Sequence, residues 1–381
     1  MTAELGPDGL SEEQRLFRDA VRKLCEREIA PLVAAAEAEE RFPLEVFRLL
    51  GDAGFLCPTF PEAYGGAGAD TVSFCLLAEE LGRVASGIAG SVVAHCSIGT
   101  SGILEYGDEA QRRRFLPDAV RGRSIFCFAV TEPNVGSDLS AMQTRAVRQG
   151  GEYVLDGAKS FITNGGICQH ALVAARTGEG EGGLSLFVVP SNAPGFSVGK
   201  KVEKLGNRSS DCVSLQLEGC RVPAENRLGA EGGGFKMLVR SLNGGRMVVA
   251  ARAMGVATAA FEAALAYARE RKQFGKRIAD FEAVQFKLAE MATRLRAARL
   301  LIHDAARAKD RGEDAALPAA MAKLFATEAA KWVCDEAVQI HGAYGYTREF
   351  PVERYWRDAR LTTIIEGTSE IQHLIIARRL I

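Results

Sequence analysis

Most of the usual marks of a metal, disulfide or nucleotide-triphosphate protein are missing from this 381-residue sequence. Its nine cysteines (25, 57, 75, 96, 127, 168, 212, 220 and 334) are odd in number and form no CxxC pair. That argues against a disulfide framework, a thioredoxin-like motif and a zinc-ribbon site. The thiols read instead as small buried hydrophobes in a reducing, cytoplasmic compartment. The five histidines fall in no HExxH or other ligand spacing, so no metal is expected. Charge of one sign is absent too. Lys plus Arg is 47 and Asp plus Glu is 48, which leaves no field to attract nucleic acid or a membrane surface. No apolar run approaches the length of a spanning helix, so membrane insertion is not expected. The opening "MTAELGPDGLSEEQRLF" lacks the basic and apolar regions of a secretory signal. What is present is ordinary globular composition, 47% hydrophobic and 25% charged, in a chain long enough for more than one core.

The texture changes twice along the chain, which predicts three domains: 1–121, 122–230 and 231–381. The first reads as helical. "SEEQ" at 11–14 fits a capping box with Ser11 as N-cap and Gln14 three residues on. Leu16, Phe17, Ala20, Val21 and Leu24 then keep a helical stripe. Small residues in "SGIAGSVVAH" (86–95) suit closely packed helices; His95 and Cys96 are assigned no role there beyond packing. From about 122 to 228 short β-rich runs such as "SIFCFAV", "HALVAAR" and "LSLFVVP" alternate with Gly, Asn and Pro turns, which predicts a β-barrel or sandwich. The helical period then returns in "FEAALAYARERKQFG", "FEAVQFKLAEMATRLRAARLLIHDAARAKD" and "LPAAMAKLFATEAAKWVCDEAVQIHG", the last with Pro318 in its first turn. A final helix, "SEIQHLIIARRL", is predicted to be capped by Ser369 with Gln372 three residues on. The expected fold is α+β, mainly α: a helical domain, a β-domain and a four-helix bundle.

Two apparent motifs are set aside. "GEGEGG" (178–183) matches GxGxxG, but it lies between two predicted strands and its glutamates would repel a pyrophosphate; a hairpin tip is the better reading. "GSD" (136–138) lacks the GxSxG setting of a nucleophilic serine. One residue does need explaining. Glu366, in "IIEGTSEIQ", places a carboxylate among isoleucines, which is costly without hydrogen bonds or a shifted pKa. It has a bland reading as well, since Thr363-x-x-Glu366 also fits a capping box.

Taken together, "FAVTEPNVGSD" (128–138), "SFITNG" (160–165), "ERKQFGK" (270–276), "QIHGAYGY" (339–346) and "IIEGTSEIQ" (364–372) resemble the acyl-CoA dehydrogenase family in order and interval. The resemblance spans essentially the whole chain. "NGGR", "MATRLRAARL" and "MAKLFATE" are more like the short- and branched-chain members. The resemblance implies FAD-dependent α,β-dehydrogenation of an acyl-CoA thioester to the trans-2-enoyl-CoA. A carboxylate takes the α-proton and N5 of FAD takes the β-hydride. Such a site must place a base, stabilise the developing enolate oxygen and exclude water.

By this resemblance Glu366 is the catalytic base. In one subgroup the base sits earlier, and that position here is Gly245. Phe128, Val130, Thr131 and Ser137 would line the flavin, with Ser137 near the thioester. Phe161 and Thr163 would lie against the isoalloxazine. Arg271, Gln273, Phe274, Gln339, Gly342 and Ala343 would reach the FAD pyrophosphate of a neighbouring subunit, and Thr368 and Glu370 the adenylate half. Asn243 and Arg246 would contact coenzyme A, with Gly367 giving room beside the thioester. The same resemblance implies a homotetramer and an electron-transfer flavoprotein as acceptor. Four positions depart from the pattern: Ile365 where many relatives carry an aromatic, Glu282 for Gln, Ala343 for Gly and Phe161 for Trp. Three other readings stay open at this level: a carrier-protein-bound substrate, an oxygen-using oxidase, and a helical scaffold without activity.

Overall fold

The computed structural model describes residues 9–381. The expectation about a signal region, read from residues 1–17, lies outside them where it falls on residues 1–8. The helical first part contains α1 (Glu12–Leu24), α2 (Val33–Ala38), α3 (Glu45–Asp52), α4 (Thr71–Val84), α5 (Ser86–Val93), α6 (Ser101–Tyr106) and α7 (Glu109–Val120). Ser11 caps α1 as expected, with the Gln14 side chain reaching back to the Ser11 N–H at 3.0 Å. Asp108 and Gln111 form a second capping box on α7. Nearly all of α4 and every residue of α5 are buried, and small residues make that possible.

The middle part is one 8-stranded sheet in the order β6-β7-β3-β2-β4-β5-β8, with β1 on β4. Its strands are β1 (Phe126–Ala129), β2 (Arg145–Gln149), β3 (Glu152–Thr163), β4 (His170–Arg176), β5 (Leu184–Pro190), β6 (Phe196–Lys201), β7 (Cys212–Pro223) and β8 (Arg227–Leu228). The sheet folds over its own core of Tyr153, Leu155, Val173, Phe187, Leu215 and Val222. Residues 178–183 are the tip of the β4–β5 antiparallel hairpin, as read from the sequence.

Helices then return: α8 (Gly234–Glu270), α9 (Glu282–Asp310), α10 (Ala316–His341), α11 (Val352–Thr362) and α12 (Ser369–Leu380). The central helix α8 crosses α4 so closely that a Cβ at Gly255 would overlap the Glu79 carbonyl and stand 2.6 Å from Arg83 N. By length and composition Ser86–Tyr106 and Gly234–Glu270 are each apolar enough to cross a membrane, but 78% of each window is buried inside the protein. Their apolar surface is used in the core. All nine cysteines are free and buried.

Polar groups join the three parts. His95 accepts from Phe126 N–H through Nδ1 (3.0 Å), so its Nε2–H donates to the Ala119 carbonyl (3.1 Å). This ties α7 to β1, a role beyond the packing expected of it. The Arg252 guanidinium, from α8, donates to Ser86 Oγ (3.1 Å) and Asn207 Oδ1 (2.5 Å). Asn207 in turn gives its N–H to Asp358 of α11 (2.5 Å).

Candidate active site

Between α11 and α12 the chain makes a tight turn around Glu366. Glu366 (φ +49°) and Gly367 (φ +92°) are both left-handed. Glycine suits this at 367, and a Cβ there would stand 2.7 Å from Gln372 Nε2. Two side chains grip the Gly367 carbonyl from inside: Lys323 Nζ and Gln372 Nε2, each at 2.8 Å. The cap of α12 is Thr368, whose hydroxyl accepts from Ile371 N–H (3.4 Å), and not Ser369. Ser369 donates instead to Glu328 Oε1 (2.8 Å), and Gln372, one position too far on for a capping box, is free to hold the turn. The Thr363–Glu366 capping box does not form either; the Thr363 hydroxyl donates back to the Arg360 carbonyl (3.1 Å).

Glu366 is half-buried, but its Oε2 is shut off from solvent and has no hydrogen-bond partner among the described residues. Burial pushes its pKa up to about 7, while the cations Lys323, Arg252 and Arg246 pull the other way. Space for it exists because residue 245 is glycine. A Cβ at Gly245 would overlap Glu366 Oε2 and lie 3.0 Å from its Cδ. The two positions read as alternative seats of the base therefore face each other, and only one can carry a side chain. Arg246 is also buried, donating to Asn243 Oδ1, so the pair stands beside Glu366 rather than free at the surface.

A second constellation lies in the β-domain. β1 carries half-buried Phe128 and runs on into buried Val130 and half-buried Thr131. The Thr131 carbonyl accepts from Ser160 N–H (2.9 Å), and the Val130 carbonyl from Lys159 Nζ (3.2 Å). The β3–β7 register shifts between Lys159 and Ile162, and this bulge throws Phe161 outward, left-handed at φ +58° and 66% exposed. Thr163 is half-buried at the end of β3, while Ser137 is exposed. Sequence reasoning missed what holds these pieces. Glu132, in "TEP", is buried and accepts from Gln143 N–H (2.7 Å), Thr144 N–H (2.9 Å) and Lys159 Nζ (2.8 Å). Its signal was a lysine inside an apolar strand.

A third set lies on the surface of the helical bundle. The predicted helix through "RERKQFG" is wrong in its last turn, because α8 ends at Glu270. Residues 271–277 form a hairpin of β9 (Lys272–Gln273) and β10 (Lys276–Arg277), with Phe274 at φ +49° and Gly275 at φ +78° at its tip. Phe274 is 93% exposed. Arg271 lies over the Tyr344 ring (5.7 Å), which brings the hairpin beside exposed Gly342 and Ala343, just past exposed Gln339. Among the described residues no hydrogen bond or ring contact joins this set to the Glu366 turn or to Phe161.

Family models for the acyl-CoA dehydrogenase N-terminal, middle and C-terminal domains match residues 11–123, 127–220 and 232–381. The chain belongs to the acyl-CoA dehydrogenase family. An acyl-CoA dehydrogenase of Bacillus subtilis is 43% identical over 98% of this chain and 99% of its own length. The structure of butyryl-CoA dehydrogenase from Megasphaera elsdenii superposes with a TM-score of 0.95 at 39% identity, covering 98% of this chain and 99% of that one. A chain from a structure described as the electron transferring flavoprotein of Acidaminococcus fermentans superposes with a TM-score of 0.96 at 41% identity, covering 98% and 99%.

Acyl-CoA dehydrogenases are FAD-dependent, and the residues present fit that group. Phe161 offers an exposed aromatic face on a strained bulge, between polar Thr131 and Thr163. Arg271 has no carboxylate partner among the described residues, and a Cβ at nearby Gly342 (φ +61°) would meet nothing within 4 Å. An open backbone beside a free guanidinium suits a pyrophosphate. The departure at 282 has a local account: exposed Glu282 opens α9, where the helix dipole favours an acid.

Proposed function

We propose that the enzyme dehydrogenates short- or branched-chain acyl-CoA thioesters with Glu366 as the base. The observation that carries this reading is Glu366 Oε2: shut off from solvent, unpartnered among the described residues, and facing a gap kept open by Gly245. A base with its pKa near 7 is half-ionised at neutral pH and strong enough to take an α-proton. The shielded position of Oε2 keeps water from the oxygen that takes the proton. FAD, when bound, supplies the acceptor for the β-hydrogen and its electron pair. In this reading Phe128, Val130, Thr131, Ser137, Phe161 and Thr163 wall the flavin ring. Ser137 also stands near the thioester, Asn243 and Arg246 contact coenzyme A, and Gly367 gives room beside the thioester.

Among the described residues no hydrogen bond or ring contact links Arg271, Gln273, Phe274, Gln339, Gly342 and Ala343 to Phe161. They serve the FAD of a neighbouring subunit in a homotetramer, and Thr368 and Glu370 face the adenylate. Exposed Phe274 and Tyr346, 93% and 90% accessible, support a subunit contact there. The likeness to butyryl-CoA dehydrogenase supports the short-chain substrate. The likeness to a chain from an electron-transferring flavoprotein structure supports that protein as electron acceptor.

The test is anaerobic bleaching of the bound flavin by straight, branched, aromatic and dicarboxylic acyl-CoAs. Butyryl- or branched short-chain CoA should bleach fastest. Glu366→Gln should keep flavin and substrate binding yet lose roughly 10³-fold or more in bleaching rate. Normal bleaching by that variant refutes the base. Bleaching only by a carrier-protein thioester refutes the coenzyme A substrate.

A further inference from the structure

Lys323 is unexpected where it stands. It is wholly inaccessible, on the third turn of α10, and it does not form an ion pair with the carboxylate next to it. Among the described residues the one hydrogen bond its ammonium makes is to the carbonyl of Gly367. Taking an ammonium out of water for a single neutral acceptor is costly, and burial lowers its pKa to about 8. A methionine would fill similar space without that cost.

The turn it holds needs holding. Two successive left-handed residues, the first of them not glycine, are strained unless the surroundings enforce them. The side chains that reach this turn's Gly367 carbonyl are Lys323 and Gln372, both fully buried and from different helices. We propose that Lys323 is a positioning residue for Glu366: it fixes the Glu366–Gly367 turn so that the carboxylate points over Gly245, and it lends a positive charge without pairing with the base. The inference rests on Glu366 being the base.

The absence of an ion pair is the point. A lysine bonded to the carboxylate would occupy the lone pair that must receive a proton. Bonded to the neighbouring carbonyl, it leaves Oε2 free and still favours the ionised form. The charges facing Glu366 are Lys323 from α10 and Arg246 and Arg252 from α8. Those facing Lys323 are Glu366, Arg246, Glu328 and Glu370.

The test compares Lys323→Met, Lys323→Gln, Lys323→Arg and Gln372→Met for flavin content, thermal unfolding, kcat, KM and the pH profile of kcat/KM. Lys323→Met should keep its flavin and KM within a few-fold but lose about 10²-fold in kcat, as expected for a misplaced base. The limb of its pH profile should move to higher pH, because losing a cation raises the pKa of the base. Lys323→Gln should show the same displaced limb, and Lys323→Arg should return it toward wild type. Gln372→Met loosens the same turn without removing a charge, so kcat should fall with the limb unmoved. A flavin-loaded Lys323→Met or Lys323→Gln with wild-type kcat and an unmoved limb overturns the proposal; if one fails to fold, the other decides. If Glu366→Gln is itself active, the reading of the base has failed instead.

Discussion

Two glutamates in this enzyme, Glu132 and Glu366, live under opposite conditions. Glu132 in the β-domain accepts from Lys159 and from two backbone N–H groups. Burial alone would push its pKa up, but the Lys159 ammonium and those donors outweigh it and hold the carboxyl below its ordinary value. Glu366 has three cations nearby, yet its Oε2 has no hydrogen-bond donor, and burial wins. A carboxylate kept for structure is surrounded by donors. The proposed base is denied them, and each donor would lower its basicity.

The largest effect is expected from breaking the satisfied site. Glu132→Gln would leave the inaccessible Lys159 ammonium without its counter-charge. Removing one partner of a buried pair costs about 3–5 kcal/mol. Urea unfolding of Glu132→Gln should show a loss of that size. The purified variant should also carry less flavin, since Glu132 ties the Val130–Thr131 segment to the Phe161 bulge. Changing Lys159 to Met in the same chain should recover part of the stability. A variant as stable as wild type would mean that Glu132 is not ionised in the folded protein.

The unsatisfied site should break differently, in rate rather than stability. Gly245→Ala puts a methyl group where Glu366 Oε2 now lies. Alanine favours the helix by up to about 1 kcal/mol over glycine, so α8 itself should not suffer. The carboxylate must move instead, and a base displaced by about an ångström loses on the order of 10²-fold in rate. Stopped-flow bleaching should show that loss with thermal unfolding within a few degrees of wild type. An unchanged rate would mean that the carboxylate swings away from Gly245 when substrate is bound.

The two sites also differ in how well the sequence announced them. Glu366 was legible, both as an acid among isoleucines and through its motif. Glu132 was not, because its partner Lys159 lies 27 positions away and meets it only when β3 folds beside β1. Lys323 left even less trace, since its partner is a backbone carbonyl, which every residue has. The order of helices, strands and helices was readable from periodicity and turn residues. Errors fell where local propensity misled. Arg, Lys and Gln at 271–273 are good helix formers, so the helix was carried on into what is a hairpin turning at Phe274 and Gly275. At the start of α12, Thr368 and Ser369 are adjacent and can each cap a helix; the choice fell to Thr368 because Ser369 is drawn to Glu328.

The smallest expected effect separates the two glutamates by pH. The folded pKa of Glu366, about 7, lies above the 4.5 of an ordinary glutamate. The folded state therefore binds this proton more tightly than the unfolded chain does. The stability that goes with it is fully present below about pH 4.5 and is lost as pH rises through 7. Glu132 has the opposite sign: its folded pKa is depressed, so its contribution is present at neutral pH and fades in acid. Glu366→Gln removes only the first term. Its stability relative to wild type should climb by on the order of 2 kcal/mol between pH 4.5 and 8, then level off. Urea unfolding at fixed protomer concentration and matched flavin loading measures that slope. A flat difference across this range would mean that Glu366 titrates like a solvated carboxylate, and the contrast with Glu132 would be lost.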